Sequence, residues 1–411
     1  MAAHVAFLIE SYKALFLQRS LFLINKYLAF SSAQKVFLLR CTQFVERGCM
    51  LRIGISTSSY LNSDGSYKDY DGLGQFTRLV KENIDGLDGA RVVPFNVSAA
   101  RYLLSYVSPF PFYSTFEKSI DLFHATDFRV PKLNVPVVTT VHDAICLKYG
   151  DKSLKRRIAN PLFQKGIDRA DRVITDCHAM VADLEKYWGV NPSKVDVVYP
   201  GRDPFFDHRC KFSEIETCLK AFKLDRPYIL MVSTLRNYKN IDRLLDAYLS
   251  LSSINSSIDL VLVGKMGSEK IHKKMHIRVK QLNSAKKVRW LSYVGKDQLR
   301  ALYQGALGAV LPSLYEGFGF PILEAFASEI PLLTSGCGAM QEIAGVGNAI
   351  FVDPYSVDSI RYGIEQLVQD QTLRVSLIKA GKKRVKDFSW DVAAKQMLSV
   401  YKKVTQQKER V

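Results

Sequence analysis

The sequence predicts an α/β chain of two doubly wound halves, each a parallel sheet with helices on both faces. Three observations lead there. The chain has 411 residues, more than one hydrophobic core usually supports, so two domains are the default. Short apolar runs alternate with amphipathic stretches from Leu51 onward, the pattern of parallel strands buried on both faces between crossover helices. A Pro/Gly-rich segment, Tyr199 to Pro204, interrupts that alternation near its middle and marks the boundary.

Residues 1–49 stand apart from the alternation. Apolar clusters at Ala14 to Leu17, Leu21 to Ile24 and Tyr27 to Phe30 are broken by Arg19 and Lys26, which argues against a membrane-spanning helix. Their late start argues against a signal peptide. Two readings stay open: a basic amphipathic helix lying on a membrane or on the protein, or a true start at Met50, whose MLRIGIS reads as an opening strand.

In the first half, Leu51 to Ser56 is the opening strand, and a polar loop runs to Asp71. Gly72 and Gly74 precede a helix from Gln75 to Ile84 and let backbone approach a phosphate. Asp69-Tyr-Asp71 has a metal-binding form but reads as loop charge. A strand ends at His124, and another, Val135 to Val141, is closed by His142 and Asp143. Ligands of open parallel sheets bind outside the carboxyl ends of strands, so His142 is a site candidate and His124 a weaker one. Arg172 to Asp176 and Val195 to Val198 are strands, with a helix from Val181 to Tyr187 between them.

The second half repeats the scheme. Strands are expected at Pro227 to Ser233, Asp259 to Gly264, Val288 to Tyr293, Ala306 to Leu311, Ile330 to Thr334 and Ala349 to Val352. Helices are expected at Asn240 to Leu251, Glu269 to Leu282, from Asp297, and over the tail from Trp390 to Val404. The predicted division is an extension at 1–49, a first domain at 50–204, a second at 205–385 and a crossing tail at 386–411.

The most informative stretch is LPSLYEGFGFPILEAFAS, Leu311 to Ser328. A strand ends in a loop carrying Glu316, Gly317, Phe318 and Gly319, and Pro321 opens a helix. Proline suits the first helical turn because the amide it lacks has no partner there. The remaining first-turn amides are free and the helix dipole adds positive charge, so the turn can hold an anion. Glu316 and Glu324, with seven residues between them, frame it. Carboxylates beside a phosphate site suit hydroxyl groups, as on a ribose and a sugar. Arg236 and Lys239, after the first strand of this half, offer charge to a diphosphate. The combination describes a nucleotide-sugar site.

This stretch resembles the E-x7-E signature of the retaining glycosyltransferases of family 4, which have the GT-B fold of two Rossmann-like domains facing across a cleft, with a C-terminal helix crossing back. LVGKMG (Leu262 to Gly267), STLRNYKN (Ser233 to Asn240), TTVHD (Thr139 to Asp143), DGLGQFTRLV (Asp71 to Val80) and a terminal FSW follow in family order. The resemblance implies that Glu324 binds the nucleotide ribose, Glu316 the donor-sugar hydroxyls, and His142 the sugar from the other domain. It implies that Lys239 and Arg236 hold the diphosphate, beside the Gly72/Gly74 loop and the Gly317-Phe318-Gly319 turn. The family's R-K-N reads Tyr238-Lys239-Asn240 here, so Arg236 is displaced by two positions. Glu329 stands where relatives carry a turn glycine. Family members need no metal or other cofactor and have no agreed protein nucleophile. Overall likeness to bacterial O-antigen mannosyltransferases points to mannose from GDP-mannose, with UDP-glucose or another UDP-hexose as the rival, and a glycan or lipid-linked acceptor.

Composition bounds the alternatives. With 57 Lys and Arg against 40 Asp and Glu, the net charge is +17, which calls for an anionic partner. A basic membrane- or nucleic-acid-binding module explains that charge but not the paired glutamates. No RNP, helix-turn-helix or zinc signature supports nucleic acid. A donor-free pseudoenzyme is opposed by the presence of His142, Lys239, Glu316 and Glu324. Seven cysteines include no C-x-x-C pair, as expected of a protein kept in a reducing cytoplasm, with an anionic membrane as its peripheral contact.

Overall fold

The structure, a computed structural model, describes residues 50–57, 72–97, 102, 104–106, 113–127, 129–150, 154–251, 257–266 and 269–408. The 1–49 extension and the Asp69/Asp71 pair lie outside them. Six strands belong to the first half: β1 (Leu51–Ser56), β2 (Ala90–Phe95), β3 (Leu122–Ala125), β4 (Val137–Thr140), β5 (Arg172–Thr175) and β6 (Val195–Val197). Six belong to the second: β7 (Tyr228–Val232), β8 (Asp259–Val263), β9 (Arg289–Leu291), β10 (Gly308–Leu311), β11 (Leu332–Ser335) and β12 (Ile350–Val352). They form two separate sheets, ordered β2-β1-β3-β4-β5-β6 and β12-β11-β10-β7-β8-β9. Pairing is parallel from β1 through β6 and throughout the second sheet. This is the two-sheet GT-B architecture that the resemblance implies.

Residue chemistry accounts for the layers. β8, β10 and β11 are buried at every position because helices cover both faces of the sheet. The helix Ile241–Leu249 buries Ile241, Leu244, Leu245 and Tyr248, a single stripe at helical spacing. β2 escapes the sequence reading because its burial alternates and it contains Pro94. Both features mark an edge strand, where a missing amide costs no ladder bond. From Arg52 onward the sheets pack as one unit, and the second-half core reaches Cys177 and Met180 of the first. Among the described residues no helix is long and apolar enough to cross a membrane.

The tail helix, Trp390–Lys408, crosses back to the first half as expected. Trp390 meets Phe76 with ring centroids 5.8 Å apart. Tyr401, fully buried, bonds its hydroxyl to His124 Nδ1 at 2.7 Å, and His124 Nε2 lies 2.8 Å from Thr140 Oγ1. His124 is therefore a structural pin. Burial, with the nearby His142 charge, pushes its pKa down to about 3, so it stays neutral. Tyr401→Phe should cost about 1–3 kcal/mol by leaving a buried ring nitrogen unpaired. Urea unfolding reads that loss, and transfer by the folded variant should be unchanged.

Two local expectations are corrected. Gly72 and Gly74 form the first turn of the helix Gly72–Ile84 itself; they do not precede it. The helix expected to open at Pro321 begins one residue earlier, at Phe320. The Glu329 turn keeps the left-handed backbone of a glycine, at φ 54°, and the side chain is held by ion pairs to Arg209 and Lys382.

Candidate functional site

Each sheet reverses strand order at one point, and open parallel sheets bind ligands there, outside the carboxyl ends of the strands. In the second sheet the reversal lies between β10 and β7. The loops leaving these two strands carry Lys239 and Glu316. Lys239 Nζ donates to both Glu316 oxygens, at 2.7 and 2.5 Å, and Ser313 Oγ donates to Oε1 at 2.8 Å. The two side chains are 13% and 7% exposed, so the pair is almost dry. Two of the three ammonium protons serve Glu316, which leaves one for a ligand.

Asn240 explains the end of the Tyr238-Lys239-Asn240 motif. It takes the left-handed conformation, φ 63°, which asparagine tolerates better than most residues. Its amide donates to the carbonyls of Pro312 at 2.9 Å and Pro354 at 2.6 Å. One buried side chain thus ties together the loops after β7, β10 and β12. Arg236, at the start of the one-turn helix Asn237–Lys239, is exposed.

The helix Phe320–Ala327 starts from Gly319 at φ 103° with Pro321 in its first turn; the Ile322 amide bonds back to the Gly319 carbonyl at 2.9 Å, which leaves the Phe320 amide without an intrahelical partner. Phe318 packs inward, edge-on to Phe320 and Phe388, so only its backbone can meet a ligand. Glu324, one turn into the helix, accepts a hydrogen bond from Tyr303 at 2.8 Å. Burial pushes its carboxyl up to about 7, against the Tyr303 bond and the Lys296 charge, with Asp203 adding to the rise. Lys296 Nζ pairs with Asp203 at 2.6 Å. Gln75 from the first half donates to the same carboxylate at 2.6 Å.

The first half closes over this edge. A β-carbon on Gly317 would lie 2.1 Å from the His142 carbonyl oxygen, so the two loops touch backbone to backbone. Gly72 lies against the Phe320 ring, 3.9 Å from where its β-carbon would stand, which brings the two helix starts together. Gly74 is buried in the same turn. The Ala144 amide donates to the Tyr315 hydroxyl at 3.1 Å, and Cys177 Sγ contacts the Gly317 carbonyl at 3.3 Å. Glu342 accepts from the amides of His178 and Ala179, at 2.8 and 2.7 Å, and from Tyr199 at 2.6 Å. His142 itself is pinned by Asp176 at Nδ1, 2.6 Å, and by the Thr126 carbonyl at Nε2, 3.0 Å.

The structure therefore gathers His142, Lys239, Glu316, Gly317, Gly319 and Gly72 at one edge, with Glu324 one helical turn away and Arg236 at the rim. Sequence reasoning missed Asp176, Tyr303 and Lys296. Asp176 had a usable signal, since it closes a strand just as His142 does. The other two act through helix packing that no local pattern displays. Among the described residues no three His, Cys, Asp or Glu side chains gather as a metal site.

The sequence also matches known families. Glycosyltransferase Family 4 covers residues 73–205, and Glycosyl transferases group 1 covers residues 219–384. Among its relatives, the O-antigen chain mannosyltransferase B of Escherichia coli is 28% identical over 68% of this chain and 74% of its own length. An uncharacterised glycosyltransferase of Methanocaldococcus jannaschii is 31% identical over 56% of this chain and 60% of its own. Among solved structures, Anabaena HepE in complex with UDP and glucose superposes with a TM-score of 0.66 at 18% identity, over 86% of this chain and all of that one. The two family matches fall one on each sheet of the GT-B fold, and the chain belongs to the group 1 glycosyltransferases of family 4.

Proposed function

We propose that this protein moves a hexose from a nucleotide sugar to a glycan or lipid-linked acceptor in polysaccharide or lipopolysaccharide assembly, retaining the anomeric configuration without a metal. One observation carries the reading. The Lys239–Glu316 pair stands at the strand-order reversal of the second sheet, between two converging helix starts and against the His142 loop. When the bond to the anomeric carbon breaks, negative charge grows on the leaving diphosphate. Lys239, Arg236 and the positive end of the helix that follows Gly319, with its Phe320 amide, can meet it. Glu316 is left to accept from sugar hydroxyls and Glu324 from the ribose. No covalent nucleophile is assigned; by the family resemblance, the donor phosphate takes the acceptor's proton.

Mannose from GDP-mannose is the first choice of donor, supported by the name of the E. coli relative. UDP-glucose is the second reading, favoured by the ligands of Anabaena HepE. The net charge of +17 supports work at the anionic inner face of a membrane, from the cytoplasm. Transfer assays with GDP-mannose and UDP-glucose in EDTA test the reading together. Turnover of one donor in EDTA is expected. Turnover that vanishes in EDTA and returns with magnesium or manganese would refute the leaving-group account.

A second expectation concerns pH. The ribose hydroxyls need Glu324 as an ionised acceptor, and its pKa is pushed up to about 7. Nucleotide affinity should therefore rise as pH rises through 7, and Glu324→Gln should bind weakly and without that dependence. The sign for stability is opposite. A carboxyl raised from 4.5 stabilises the free protein fully below that pH and loses its contribution as pH rises through about 7. Calorimetric titration with the nucleoside diphosphate across pH 5.5 to 8.5 (roughly 1.5 units either side) reads the first effect.

A further inference from the structure

The partners of His142 fix its protonation state by geometry. Nδ1 faces a carboxylate oxygen of Asp176 at 2.6 Å, and Nε2 faces the backbone carbonyl of Thr126 at 3.0 Å. Both partners can only accept. A neutral imidazole has one donor, so it could satisfy one of them and would set a lone pair against the other. Two protons on the ring satisfy both. Neither nitrogen is then free to take a proton from an acceptor hydroxyl, so His142 in this arrangement is a cation and not a base.

We propose that Asp176 is the positioning residue that holds His142 doubly protonated and oriented, giving the transfer site a fixed positive charge on its first-half wall. This rests on the donor-site reading above. Asp176 is suited to the task. It ends the strand run next to β4 and is 2% exposed, so its field on the ring is little screened. Its second oxygen, Oδ1, is buried without a hydrogen-bond partner among the described residues. A buried unpaired acceptor lowers stability, so the carboxylate is not explained by folding alone.

Other groups around the ring agree. Phe76, from the helix Gly72–Ile84, meets it edge to face at 4.6 Å. Asp143, on its own loop, favours the cation, while His124 from β3 is kept neutral. Across the interface, the His142 carbonyl touches Gly317, next to the Lys239–Glu316 pair. Burial opposes the ring charge, but Asp176 and the Thr126 carbonyl outweigh it and raise the pKa to about 9. The charge is present through neutral pH and is lost as pH rises through that value.

The test is the pH profile of kcat for wild type, Asp176→Asn and His142→Gln, with nucleotide binding measured on each. Wild type should lose turnover near pH 9. Asp176→Asn should bind nucleotide normally and show its basic limb displaced downward by about 2 units or more. That predicts at least about a fourfold loss at pH 7.5 and recovery toward pH 6. His142→Gln should lose turnover at every pH. A profile of Asp176→Asn superimposable on wild type, with His142→Gln inactive, overturns the positioning role alone. Full activity in both variants, with Lys239→Met inactive, instead removes His142 from the donor site. Should Asp176→Asn fail to fold, NMR titration of the wild-type ring decides: a His142 pKa near 6.5 overturns the proposal.

Discussion

Lys239→Met should lower turnover by about 10²–10³-fold, the usual loss when one preorganised donor to a developing anion is removed. Donor affinity should fall much less, because the interaction strengthens as the diphosphate departs. The same change has a structural consequence. Glu316 is only 7% exposed and would lose its sole cationic partner among the described residues. Breaking a buried pair from one side typically costs about 3–5 kcal/mol, with Ser313 left as the hydrogen-bond donor to Glu316. The two effects separate in the double variant Lys239→Met/Glu316→Gln. A neutral amide no longer strands a charge, so denaturation midpoints should recover most of the loss while turnover stays low. Recovery of both would make Lys239 a structural cation, and wild-type turnover in Lys239→Met would move the diphosphate site elsewhere.

Much of this was legible in the sequence because it follows from local patterns. Runs such as Leu260 to Val263 are apolar on both faces, and only a covered parallel sheet accommodates that. Glu316, Gly319, Pro321 and Glu324 lie on one loop and one helical turn, so their spacing alone placed them together. Pairings between distant segments were not legible. Lys239 and Glu316 are 77 residues apart, His142 and Asp176 are 34 apart, and Glu324 and Tyr303 are 21 apart. The first two depend on strand order and the third on the packing of two helices, and sequence periodicity encodes neither. The sequence reading made Lys239 a free phosphate ligand and His142 a sugar contact. Folded, each already holds internal partners, and their chemistry toward a donor starts from those bonds. Phe318 shows the converse. A loop aromatic beside a ligand site reads as a contact, yet its ring is buried against Phe320 and Phe388. Glu329 shows a backbone conformation outlasting its usual residue, because Arg209 and Lys382 hold the side chain at a positive φ.

Gly317→Ala should disable transfer while leaving both sheets folded. An added β-carbon would stand 2.1 Å from the His142 carbonyl oxygen and 2.9 Å from the Asp143 β-carbon. The obstacle is backbone that follows directly from β4, where the Val141 amide is bonded to Ile174 at 2.9 Å, so it cannot swing aside as a side chain would. Either the Glu316 loop retreats or the two halves part, by about 1 Å in each case. Misplacement of that size costs about 10²-fold in rate. Cores on either side are untouched, so thermal unfolding should shift little. Nucleotide should still bind, since Glu324 and the Phe320–Ala327 helix start lie on the second half alone. On the proposed reading, donor enters before this contact forms and closure then shields the reacting bond from water. Gly317→Ala should therefore also raise donor hydrolysis relative to transfer, read as free sugar released per glycoside formed. Wild-type transfer by Gly317→Ala would mean that the two loops are apart in the productive state, and that the touching backbones belong to a resting form of the enzyme.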